Sequence, residues 1–218
     1  MKKKMSKTGV LISFEGIDGS GKSTQAQLLD KHLRLAGYDV LFLREPGGTP
    51  VSEAVREILL SRRNDGMSAR AELLLFLAAR AELVEKTITP ALDSGKVVIT
   101  DRFADSTFAY QIYGRGLPER NVRQANSFAA SGLKPDLTFL VDVDVLTAHK
   151  RLKRKRDRME AAARAFHERV RKGFLKLAEK DARRIVTLNG HKSAQQLWQE
   201  VRTHSEALLE RRKVRKSY

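Results

Sequence analysis

A chain of 218 residues that is 41% hydrophobic and 31% charged can fill the core of one domain. With no apolar run near the roughly 20 residues of a bilayer span, it is read as a cytoplasmic protein without a membrane partner. The absence of cysteine excludes disulfides, thiolate metal sites and cysteine nucleophiles, while the net charge of +16 asks for an anionic partner: nucleic acid, an acidic membrane surface or a phosphorylated small molecule.

The start, "MKKKMSKTG", imitates the basic end of a signal peptide, but the apolar run from Val10 to Phe14 is interrupted by Ser13 and stopped by Glu15, which is too short for a signal core. Residues 1–8 are therefore read as a basic flexible tail. "VLISF" (10–14) is the first predicted strand. It leads into Gly16-Ile17-Asp18-Gly19-Ser20-Gly21-Lys22-Ser23, which fits G-x-x-x-x-G-K-[ST], the phosphate-binding P-loop, in the required setting of a strand before and a helix after. Glycines let backbone N–H groups converge on an anion, and the helix start adds its positive dipole end. Gly16 to Thr24 are thus expected to wrap the phosphates of a nucleoside triphosphate, with Lys22 bridging to the γ-phosphate and Ser23 ligating Mg²⁺.

Helical spacing follows over Ser23–Ala36, stopped by Gly37, and then a second strand, "DVLFL" (39–43). Ser52–Leu60 and a long segment from Ser68 to Ser94, bent or split by Pro90, are predicted helices. "KVVIT" (96–100) is the third strand, and Asp101-Arg102-Phe103 comes directly after it. There a carboxylate can meet Mg²⁺ or its waters and an arginine can grip an acceptor phosphate. Glu119–Ser131, stopped by Gly132, precedes the fourth strand, "DLTFLVDV" (136–143). Leu146–Arg156 and Glu160–Lys180 are read as helices, "RIVTL" (184–188) as the last strand and Ser193–Arg211 as the last helix.

Nearly continuous apolar strands alternating with helices imply an α/β fold: a doubly wound, five-stranded parallel sheet with helices on both faces. No interdomain linker interrupts it, so 1–218 is read as one domain with basic tails at 1–8 and 211–218. Such folds bind ligands at the carboxyl ends of the strands, where "EGIDGSGKST", "REPGGTP" and "DRFADSTFAYQ" fall.

The order and spacing of the P-loop, "REPGGTP" (44–50), "LLLFLAARAELV" (73–84), "DRFADSTFAYQIYGRGL" (101–117) and "DRMEAAARAFHERVRKGFLKLA" (157–178) resemble those of thymidylate kinases, members of the P-loop nucleoside monophosphate kinase group. The resemblance implies ATP-dependent phosphorylation of dTMP to dTDP with Mg²⁺, and a homodimer built through the long middle segment. It implies that Arg44 and Arg102 hold the monophosphate, that Phe76 stacks on thymine and that Arg80 reaches the base edge. Spacing of i, i+4 places Phe76 and Arg80 on one helix face. Ser106, Thr107, Tyr110 and Gln111 match the segment bordering base and sugar, and Asp18 matches the carboxylate facing the sugar 3′-hydroxyl. Asp101 joins Ser23 at the metal.

A phosphate monoester is already mostly dianionic at pH 7, so the reaction needs alignment and positive charge rather than a base. The five histidines, on stretches away from these motifs, receive no role. Asp18-Gly19-Ser20 offers no arginine, so the resemblance assigns the catalytic one to a short helical lid over ATP at 149–160, with Arg154, Arg156 and Arg158 as candidates. Within enzymes the rival is a kinase for another nucleotide or nucleoside. Lys150–Lys172 holds eleven Lys or Arg against three acids, yet a nucleic-acid-binding P-loop ATPase is disfavoured, because no nucleic-acid module is recognisable and aromatic content is only 6%.

Overall fold

The computed structural model describes residues 9–152 and 157–216. Each of the five apolar runs forms a strand: β1 (Val10–Glu15), β2 (Val40–Arg44), β3 (Val97–Asp101), β4 (Leu137–Asp142) and β5 (Ile185–Asn189). They pair in parallel in the order β2-β3-β1-β4-β5, with Ile12 of β1 beside Ile99 of β3 on one side and Leu137 of β4 on the other. Helices cover both faces, so β1 is buried at every residue, which is why the strands read as unbroken apolar runs.

Alternation survives in where the side chains go. Val10, Ile12 and Phe14 join the layer made by α1 (Lys22–Leu35) and α9 (Ala194–Arg212), where Ala26, Leu29, Leu33, Val201 and Leu208 meet them. Leu11 and Val98 join the opposite layer with Leu83, Ile88 and Phe103. Ser13 and Thr138, neighbours across β1 and β4, bond through their hydroxyls at 2.7 Å, so neither buried oxygen is stranded. Caps set several helix starts: Thr49 for α2 (Pro50–Leu60), Ser68 for α3 (Ala69–Leu83), and a reciprocal Ser193–Gln196 box for α9.

Three segments differ from the sequence reading. The helix expected to bend or split at Pro90 continues from α3 through a wider π turn, Val84–Ile88, into α4 (Thr89–Asp93). Pro90 has no N–H for the carbonyl four residues back, and the wider turn lies just before it. No helix was assigned between β3 and Glu119, yet α5 (Ala104–Thr107) and a π-helical continuation, Phe108–Gly114, fill that stretch ahead of α6 (Glu119–Ala129).

Around the expected lid, α7 (Val145–Arg151) ends five residues early and α8 (Arg164–Lys180) starts four late. Between them Asp157 and Glu160 each accept the other's backbone N–H, at 2.9 and 3.1 Å, a local turn that competes with helix. Residues 158–161 are accordingly turn rather than lid helix.

Candidate active site

The P-loop connects β1 to α1 at the carboxyl end of the sheet. Gly19 has φ 85°, and a Cβ there would lie 2.2 Å from the Ala148 carbonyl oxygen, so both conformation and space demand glycine. At Gly21, the residue before α1, φ is 101° with open space around it, so conformation alone is decisive.

Lys22 opens α1 and is almost wholly buried, its Nζ 3.2 Å from Asp18 and 3.8 Å from Asp101. Ser23 Oγ donates to Asp101 Oδ2. The other Asp101 oxygen is buried without a hydrogen-bond partner. A hydroxyl and an unsatisfied carboxylate oxygen side by side fit a hard divalent cation that takes its remaining ligands from phosphate and water.

Arg102 follows β3 with φ 76°, unusual for a residue with a side chain. Its N–H donates to the Phe14 carbonyl and its own carbonyl accepts from Thr100 Oγ1 at 2.7 Å. Glu15, missed in the sequence, braces the same turn by accepting from Phe103 N at 2.8 Å and from Ser106 Oγ at 2.5 Å. Burial, reinforced by the charge of Asp105, pushes the Glu15 carboxyl up to about 8.

So held, Arg102 bonds Asp18 at 2.7 Å and Ser106 at 2.9 Å and stacks over the Tyr110 ring at 5.2 Å. Burial opposes charge on Asp18, but Arg102 and Lys22 outweigh it and hold that carboxyl far below the usual range. Burial raises the Tyr110 phenol, which stays neutral.

These groups form one wall of an open cleft with about 110 Å³ of interior space. Asp18, Phe76, Arg80, Arg102, Ser106, Thr107, Tyr110 and Gln111, expected to contact the acceptor, all line it. Arg80 is anchored more heavily than a base-reading residue requires: it bonds Glu45 twice, at 2.6 and 2.8 Å, Thr107 at 2.6 Å and Asn126 at 2.7 Å. One of its five N–H groups is left for a ligand.

Arg44 does not line the cleft; it is about half exposed and turned to Glu53 at 3.0 Å. Arg56 of α2, which the sequence reading missed, does line it, tethered to the Pro46 carbonyl at 2.8 Å. Burial lowers the Arg56 pKa, and the charges of Arg44 and Arg102 lower it further.

The lid candidates fare differently. Arg154 and Arg156 lie outside the described residues. Arg158 is not brought to the P-loop: its buried guanidinium bonds the Leu59 carbonyl at 2.6 Å and Glu72 at 2.8 Å. Glu72, fully buried, also takes Arg115 at 2.8 Å and Gln111 at 3.1 Å. Arg158 thus fastens the end of the expected lid to α2 and α3, because a buried carboxylate needs cations more than the surface does.

Arg151, not singled out in the sequence, reaches the P-loop instead, donating to the Ser20 carbonyl at 3.4 Å and to Gly190 in the turn after β5 at 3.0 Å. His149 and His167, left without a role, approach each other at 5.3 Å and border a small space with Ile17 and Asp18.

A P-loop facing an arginine-lined cleft across the carboxyl ends of a parallel sheet defines a P-loop nucleotide kinase. The family model for thymidylate kinase matches residues 14–201. The thymidylate kinase of Caldanaerobacter subterraneus subsp. tengcongensis is 49% identical over 84% of this chain and 88% of its own. That of Symbiobacterium thermophilum is 45% identical over 93% and 95%. The crystal structure of thymidylate kinase from Ehrlichia chaffeensis superposes with a TM-score of 0.75 at 38% identity, covering 91% of this chain and 98% of that one. The chain belongs to the thymidylate kinase family.

Proposed function

We propose that this phosphotransferase moves the γ-phosphoryl group of ATP to the phosphate of dTMP, yielding dTDP. The observation that carries the acceptor side is the placing of Arg56 and Arg102 in the lining of one cleft, where two guanidinium groups would meet a dianionic monophosphate. Phe76 supplies the apolar face for a base, while Arg80 and Gln111 offer polar edges to it. Asp18, pinned by Lys22 and Arg102, stays anionic and available to a sugar hydroxyl.

On the donor side, the P-loop N–H groups and Lys22 cradle the triphosphate, and the arginines stabilise charge on the group in transit. Ser23 and Asp101 would hold Mg²⁺, which when bound neutralises charge on the β- and γ-phosphate oxygens. Arg151, bridging the P-loop and the Gly190 turn, supports the ATP side of the site.

ADP release measured across dTMP, dUMP, dCMP, dGMP and thymidine tests this reading. The highest kcat/KM is expected with dTMP; equal or greater turnover of another acceptor overturns it.

The same proposal covers assembly and setting: one domain that forms a homodimer and works in the cytoplasm. Val51 and Ile58 of α2, Leu74 of α3 and Phe128 of α6 are exposed, on helices that adjoin one another. Among the described residues no helix is long and apolar enough to cross a membrane.

A further inference from the structure

A second cavity, of about 300 Å³, lies across α5 from the acceptor cleft, between α6, α8 and the turn before β4. Ala104, Leu133 and Leu177 give it apolar lining, and the Arg123 guanidinium stacks over Phe108 at 4.5 Å to make a flat wall. Arg184, also in the lining, is engaged by Asp105 and Asp181 at 2.7 Å each. Two lysines are not so engaged. Lys134 makes no ion pair among the described residues, and Lys180, 61% exposed, approaches only Glu119, at 3.9 Å.

We propose that this cavity is a second small-molecule site, for an aromatic phosphate monoester of mononucleotide size, and that its occupancy is coupled to the acceptor cleft. Two uncommitted ammonium groups match a phosphate dianion; a flat arginine–aromatic wall matches a ring. The space is at the lower end of that of ordinary small-molecule sites.

Coupling follows from the shared partition. Asp105 and Phe108 face the cavity, while Ser106 and Thr107 between them face the cleft. Asn126 lines the cavity and accepts from Arg80, which lines the cleft. The coupling rests on the acceptor reading above; binding in the cavity does not.

The test is calorimetric titration of the full-length protein with 1-naphthyl phosphate while saturating dTMP and ADP occupy the nucleotide sites. One further saturable site is expected. Lys134→Glu combined with Lys180→Glu should weaken it at least about tenfold, and inorganic phosphate alone should bind at least about tenfold more weakly than the aryl ester. Ser127→Trp, which fills the mouth without changing charge, should weaken the ester too. By linkage, the probe should shift the dissociation constant of dTMP at least about threefold, and dTMP that of the probe by the same factor.

Absence of a saturable site, equal affinity in the double lysine variant, or a dTMP affinity indifferent to the probe each overturns the proposal. If dTMP itself fails to bind, the acceptor reading falls, while titration of the nucleotide-free protein still decides the cavity through the lysine variant.

Discussion

Arg56 and Arg102 both line the acceptor cleft, and a phosphate bound there would take a charge-assisted contact from each. Arg56→Ala removes one charge-assisted contact, worth about 1.5–3 kcal/mol. Accordingly kcat/KM for dTMP should fall about 10- to 150-fold while KM for ATP stays within about twofold. Lys22→Ala should depress turnover with every acceptor. Steady-state kinetics on both variants separates the two sides of the site; equal loss on both substrates from Arg56→Ala would place Arg56 elsewhere.

Glu15 carries a different expectation. Folded, it keeps its proton to about pH 8, whereas the unfolded chain releases it near the ordinary glutamate value. Between those values the folded state binds more protons, so this group makes stability fall as pH rises from about 4.5 to about 8, and no further above that. Glu15→Gln should remove that decline. The wild-type minus variant difference in Tm should become more negative between pH 5 and pH 8; a difference independent of pH would show that Glu15 does not titrate there.

At the scale of elements, what the sequence made legible followed from local constraint. Each buried strand had to be an unbroken apolar run, and the P-loop had to place glycine where Gly19 meets a carbonyl. Arg56 and the pairing of Arg158 with Glu72 were not legible, because an arginine in a helix has many surface explanations and its partner is remote in sequence. Helix from Ala104 to Gly114 was missed for a related reason: it is buried on several sides, so no apolar stripe of period 3.6 marks it.

Its packing against α8 uses two notches. A Cβ on Gly114 would lie 2.7 Å from the Phe166 ring, and one on Gly173 would lie 2.7 Å from the Tyr113 ring. Gly173→Ala adds a methyl where a ring lies, which overpacks the contact at a cost of about 1–3 kcal/mol, despite the better helix propensity of alanine. Thermal unfolding should show a lower Tm with acceptor preference unchanged. A Tm at or above wild type would mean the two elements pack less tightly than this.

For the whole molecule, the positive charge and the exposed apolar residues belong to different questions. Charge of one sign keeps copies apart in solution, so the proposed homodimer would need a local apolar face. Phe128 is 88% exposed and Leu74 62% exposed, large side chains that gain from burial against a second copy. The helices bearing this face also bear the acceptor cleft: α2 carries Arg56, α3 carries Phe76 and Arg80, and α6 carries Asn126, which holds Arg80. In the proposed homodimer that face would brace the helices behind the acceptor site, and separating the protomers would remove the brace.

Light scattering should therefore report a mass of twice 24.6 kDa for the wild type and 24.6 kDa for Leu74→Glu combined with Phe128→Glu. In that variant KM for dTMP should rise several-fold, on the order of 1 kcal/mol of lost positioning, while KM for ATP changes little because β1, α1 and the P-loop lie away from the face. A wild-type monomer would remove the dimer. A dimeric double variant would move the interface to another surface, and equal change in both Michaelis constants would disconnect the face from the acceptor site.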